Sequence, residues 1–174
     1  SLILAADSDG EKALAAQIAA MLSEQGAGGR SDDLSSRVSS FQRDGSKRAS
    51  SLKDQAKRWA GTKAAPSGHA ADIIAKAWPD RIAKRRKSDP KRYQLAGGGG
   101  VKLPDNFTLE GSEWIIVCET GGQSGNESLV RLAGALDERL VRGVLTETER
   151  DFAEFDQKSG KIKARRQKTL GEIV

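Results

Sequence analysis

The apolar pattern changes period once, at Trp78-Pro79, and that change constrains the fold more than any other feature of the chain. Ahead of it, apolar residues recur at intervals of three and four, as on one face of a helix. Beyond it they alternate or run continuously, as in strands. Pro79 has no amide proton and disfavours helical backbone at Trp78, so a helix carrying Ile73, Ile74 and Ala77 must stop there. A chain that is helical first and stranded second is expected to be α+β, divided into 1–78 and 79–174.

The helical part predicts four short elements. Ser8 and Glu11 have capping-box spacing ahead of Leu14, Ile18, Met21 and Leu22, and Gly26 to Gly29 end that helix. Ser31, Asp32 and Asp33 open a second, with Leu34, Val38 and Phe41 on one stripe, and Asp44-Gly45 breaks it. A third turns Leu52, Ala56 and Trp59 inward and Lys53, Lys57 and Arg58 outward. Residues 61–68 connect to the fourth, which ends at Trp78. Such thin, Ala-rich helices suit a share in a larger core.

After Pro79, residues 81–85 alternate weakly, 92–96 read as a strand, and Gly97 to Gly100 as a turn before Val101 and Leu103. Residues 113–119 form a continuous apolar strand, Gly121 to Gly125 a flexible loop, and 128–133 a further strand. Leu136, Leu140 and Val144 share a helical face, and 148–155 with 161–170 flank a hairpin turn. Five or six strands with one short helix suit a small closed barrel, since an open sheet of that size leaves edges exposed.

Few chemistries are supplied. With 37% apolar and 30% charged residues, no run long enough to cross a bilayer and no basic-apolar leader, a cytoplasmic protein without a membrane partner is expected. The one cysteine, Cys118, allows neither an internal disulfide nor a multi-Cys zinc site. The four glycines at 97–100 lack the Gly-Lys-Ser/Thr and the following helix of a phosphate loop. His69, the only histidine, stands at a helix start, and Cys118 lies inside an apolar strand. No complete active site, cofactor site or metal site is expected, so the chain is read as no enzyme by itself.

Charge carries the remaining signal. The net charge is +5, but residues 80–92 hold seven basic side chains against two acids, 158–168 hold six against none, and 105–119 hold four acids and no base. Sorted by sign in this way, the surface suits a polyanion on one side, although solvated surface accounts for many such runs. The phosphate-contact candidates are Arg81, Lys84, Arg85, Arg86 and Arg92, extended by Lys161, Lys163 and Arg165 on one strand face. Tyr93 is the candidate stacking aromatic, or else a half-buried strand residue.

The stretch Ile73 to Arg86, with its aromatic-Pro-Asp-Arg-Ile-Ala core at 78–83, resembles the C-terminal region of bacterial HrpB-type ATP-dependent helicases, relatives of the DEAH-box RNA helicases. Arg92 to Ala96, Val101-Lys102-Leu103-Pro104, Val117-Cys118-Glu119, Arg131-Leu132-Ala133 with Leu136-Asp137-Glu138, and the basic hairpin extend the likeness, as does 15–25 upstream. The chain departs from the pattern at Trp78, where the family has Tyr or Phe, and at Gly97 and Gly99, where it has Asn and Arg.

The resemblance implies that 1–78 is the end of a winged-helix and ratchet-like bundle, and 79–174 an OB-like β-barrel with a C-terminal hairpin extension. It implies RecA-like ATPase domains elsewhere in the parent chain, which use ATP and Mg. The expected role is an accessory region that holds single-stranded RNA or DNA. The rival role is a structural module whose basic clusters dock on those ATPase domains or on a partner protein.

Overall fold

The computed structural model describes the side chains of residues 1–145, 170, 171 and 173, and the backbone of 147–156 and 161–169. Four helices come first: α1 (Asp9–Ser23), α2 (Leu34–Arg43), α3 (Lys47–Ala60) and α4 (Ala70–Ala77). Each of the first three starts where a side-chain oxygen takes a free amide: Ser8 accepts from Glu11 N, Asp33 from Ser36 N and Ser46 from Ala49 N. Glu11 reaches back to the amide of Asp7, one residue ahead of the cap.

α1 buries Ala13 to Ala16, Ile18, Ala20 and Met21, almost all round, as the central helix of a bundle must. α2 buries Leu34, Val38 and Phe41 as expected. In α3 the buried residues are Ala49, Leu52 and Ala56, whereas Trp59 is 43% exposed. This corrects the inward placement of the indole. Small residues, Ala49, Ala56 and the half-buried Ala60, carry the close approach to α1, and the bulky ring falls outside it.

α4 ends on Trp78, whose amide still bonds Ile74 O at 2.8 Å, and a 3₁₀ turn over Pro79–Arg81 delivers the chain into the sheet. Five strands follow: β1 (Ile82–Arg85), β2 (Arg92–Leu95), β3 (Gly100–Lys102), β4 (Trp114–Ser124) and β5 (Glu127–Ala135). They close into a barrel in the order β1-β2-β3-β5-β4, with β3 and β5 parallel and the other pairs antiparallel. Closure pairs every strand on both sides and leaves no open edge.

The barrel interior holds Ala83, Tyr93, Val101, Leu103, Phe107, Ile115, Val117, Val130 and Ala133. A second apolar cluster joins the helices to the outside of the barrel through Ile82, Trp114, Ile116, Cys118 and Leu132. Successive residues of 114–118 therefore serve two cores, which is why the sequence reads there as unbroken apolar. The four thin helices find their missing partner in this face. At Gly134 the approach is so close that an added Cβ would stand 2.9 Å from Ala71 Cβ of α4.

One sequence expectation changes, and the terminal hairpin is the extension expected. Gly121 to Gly125 is no free loop: β4 runs through it to Ser124, with bulge-like register shifts, and only Gly125-Asn126 turn the chain. The terminal hairpin forms its own two-stranded sheet outside the barrel, β6 (Glu147–Asp156) with β7 (Lys161–Leu170). Between barrel and ribbon, α5 (Glu138–Val144) starts on an Asp137 cap and packs against α4. Gly171, at φ +59°, then lies against Ala96, and Ile173 is buried.

Replacing Gly134 by Val is expected to push α4 off β5 and to cost about 1–3 kcal/mol in urea unfolding, the usual range for overpacking. Gly143→Ala, where nothing lies within 4 Å of the new methyl, is expected to leave stability unchanged or raise it slightly.

Candidate nucleic-acid interface

Since Tyr93 and Val101 point into the barrel, strand alternation turns their neighbours Arg92, Gln94, Gly100 and Lys102 outward. Lys84 pairs with Gln94 across β1 and β2, so Lys84 and Arg86 continue the same outer row. The helices pack on β4, β5 and the start of β1, and this row lies clear of them. One sector of the barrel is thus apolar and covered, and the next is basic and, among the described residues, free of packed helices.

The sequence-derived candidates do not act as one group. Arg86 and Arg92 converge on Glu127, at 3.8 Å and 3.5 Å from its carboxylate oxygens, and Arg92 also pairs with Asp89 at 3.5 Å. Arg86 further donates to Gln94 Oε1 at 2.9 Å. Lys84, Arg85 and Arg86, with Lys87, Pro90 and Glu113, rim an open depression of about 590 Å³. Lys84 sits 5.1 Å over the Trp114 ring and 4.0 Å from Glu113, and Arg85 donates to Gly111 O at 2.7 Å. Arg81 stands apart at the start of the strand, 4.7 Å over the Trp78 ring, where it joins helix to barrel.

Tyr93 is fully buried, and its hydroxyl donates to Ser112 O. Burial raises its pKa, so the phenol stays protonated as donor. Neither ring face reaches solvent, and the stacking role expected of Tyr93 is corrected to that of a core residue. The side chains of Lys161, Lys163 and Arg165 lie outside the described residues. Their backbone pairs within the ribbon, opposite Asp156, Glu154 and Phe152.

Five polar residues of this sector were not among the sequence-derived candidates: Lys87, Lys91, Gln94, Lys102 and Glu127. Alternation from Val101 would have found Lys102, whose Nζ lies 3.5 Å from Ser124 Oγ. Lys91 is bound to Asp105, which raises the lysine pKa and lowers that of the carboxyl through their shared hydrogen bond. No local signal marks Glu127, because only the parallel pairing of β5 with β3 brings it beside 86 and 92.

Burial pushes the Cys118 thiol up to about 12, the opposite of a nucleophile's shift. His69 is exposed at the N-cap of α4 and makes no side-chain capping bond. Among the described residues no group of three His, Cys, Asp or Glu side chains converges as a metal would need, and no helix is long and apolar enough to cross a membrane.

No family model matches the chain. The ATP-dependent RNA helicase HrpB of Escherichia coli (strain K12) is 33% identical over 177 residues, covering 100% of this chain and 21% of that protein. Two solved structures, described as the E. coli DExH-box NTPase HrpB and the E. coli DEAH/RHA helicase HrpB, superpose over 99% of this chain with TM-scores of 0.78 and 0.77 at 28% identity. The chain spans about a fifth, 21%, of each of these relatives, matching their C-terminal part.

Tyr93→Phe removes the donor to Ser112 O and is expected to cost about 1 kcal/mol in urea unfolding. Binding of a single-stranded oligonucleotide should not change, because the ring is interior. Alkylation of Cys118 by iodoacetamide is expected to be negligible in the native protein at pH 9 and fast in denaturant, read by mass spectrometry.

Proposed function

Because the chain is the counterpart, in sequence and fold, of the C-terminal region of the HrpB-type helicases, we propose that it is a helicase accessory region whose barrel holds single-stranded RNA or DNA. Movement along the strand falls to ATPase domains elsewhere in the protein. The observation that carries this reading is the division of the barrel's outer surface. α2, α4 and α5 belong to the apolar side, and the basic sector presents Lys84, Arg86, Arg92 and Lys102.

OB-type barrels bind oligonucleotides on the face of strands 2 and 3 and on the loops 1–2 and 4–5. Here those loops are residues 86–91, which add Lys87 and Lys91, and the turn 124–127. The cations act as phosphate contacts, which position a strand without reading its sequence. Lys161, Lys163 and Arg165 extend the track. ATP and Mg would be held by the RecA-like domains of the whole protein, and no nucleotide step is assigned to this chain.

The docking role draws on the same residues, since Arg86 and Arg92 already pair with acids. Fluorescence anisotropy with a labelled oligonucleotide over a salt series separates the two. Each phosphate contact on a single strand adds about −0.7 to the log–log salt slope. Arg86→Ala with Arg92→Ala is therefore expected to weaken binding at low salt and to flatten the slope by about 1.4. Unchanged oligonucleotide binding, with lost association to the ATPase domains, would establish the docking role instead.

A further inference from the structure

We propose that Glu127 stands in a phosphate subsite formed by Arg86 and Arg92, and competes there with the nucleic-acid strand. The inference rests on the nucleic-acid reading of this face and adds a regulatory group to it. Glu127 begins β5, directly after the Gly125-Asn126 turn, and its side chain is only 18% exposed. Its two oxygens lie 3.8 Å from an Arg86 terminal nitrogen and 3.5 Å from Arg92 Nε. These are ion-pair distances at the limit of, or beyond, a good hydrogen bond.

The carboxylate fits its site badly. Glu127 Oε2 and Arg86 Nε are both buried and hydrogen-bond to nothing among the described residues. A native protein hydrogen-bonds nearly all such atoms, and a charged one left with ion pairs alone costs more than a neutral one. A phosphodiester is bulkier than a carboxylate and carries its charge on two non-bridging oxygens, so it can meet two guanidinium groups with charge-assisted bonds at once. Gly100 lies directly beneath the pair, where any Cβ would collide with Glu127 Oε1 and come within 2.9 Å of an Arg86 terminal nitrogen, so the absence of a side chain there is what lets an anion sit on the arginines. Asp89 is the other acid at the site, paired with Arg92 from the exposed loop side.

With Glu127 in place the arginines are held but neutralised. A strand binds by displacing the carboxylate, whose side chain rotates outward while its backbone keeps the pairing of Ser124 with Glu127. A negative side chain at the centre of a basic face thus sets a threshold: isolated anions are turned away, and a polyanion anchored at Lys87, Lys91 and Lys102 succeeds.

The test compares Glu127→Gln, Glu127→Asp and the Arg86→Ala/Arg92→Ala pair, by anisotropy with a short fluorescein-labelled oligouridylate over a salt series. Glu127→Gln is expected to bind about fivefold tighter at low salt, the effect of removing one charge near a phosphate. Its salt slope should steepen by about 0.7, and the gain should vanish when both arginines are also replaced. Glu127→Asp keeps the charge but withdraws it by one methylene, and is expected to tighten binding less. Far-UV circular dichroism and the thermal midpoint confirm that each variant is folded. If folded Glu127→Gln and Glu127→Asp bind no tighter, or tighten without a steeper slope, while the arginine variant is weakened, competition is overturned and phosphate binding stands. If the arginine variant binds as well as the parent, the nucleic-acid reading itself falls.

Discussion

The molecule is organised around one strand that has no solvent face for half its length. In β4, Ile115 and Val117 fill the barrel while Trp114, Ile116 and Cys118 pack under the helices. A strand buried on both sides forces both neighbours into place. The barrel must close for one face to be covered, and the helical layer must lie flat on the other. Gly134 on the adjacent strand permits that layer to come within touching distance through Ala71. The helices, too Ala-rich to make a deep core of their own, acquire one here. Shared burial of this kind ties the two halves more firmly than a linker between separate domains.

The same contact decides where charge can go. Helices cover the first half of β4 and the end of β5, so long polar side chains stand outward on β2, β3, the end of β1 and the far parts of β4 and β5, where Gln123 and Arg131 are exposed. The basic residues there do not form an unopposed field. Most have a partner: Glu113 for Lys84, Glu127 for Arg86 and Arg92, Asp105 for Lys91, and the Gly111 carbonyl for Arg85. Exposed pairs of this sort contribute little to stability. Their effect is better understood as orientation. Each acid holds a flexible cation near the surface it would present to a polyanion, and lowers the field that polyanion meets.

Much of the architecture was legible in local pattern. The first two helix starts followed from Ser8 and from Asp33, whose short polar side chains satisfy amides that no helix turn can reach, whereas the Ser46 cap of the third went unread. Pro79 marked the change of period, and the apolar run at 113–119 announced a strand, which the structure buries on both sides over 114–118. The misreadings have a common cause. Trp59 sits on a core stripe by spacing, yet α3 approaches α1 through alanines and leaves the indole outside. Tyr93 lies among cations in sequence and inside the barrel in space. The glycines at 121–125 suggested a loop, but partners on β5 extend the strand through them.

The sequence by itself determined the order of helices and strands, the place where one gives way to the other, and the likeness to the C-terminal part of the E. coli helicase HrpB. These depend on periodicity, capping and short motifs, all of which act within a few residues along the chain. Only the tertiary structure decided which cations stand together, which aromatic is interior and which acid lies between Arg86 and Arg92. Those facts depend on strand register and on the parallel pairing of β3 with β5, which bring 86, 92 and 127 into one site although no repeat or spacing relates them. Local pattern specifies what each segment is, and long-range pairing specifies what it faces.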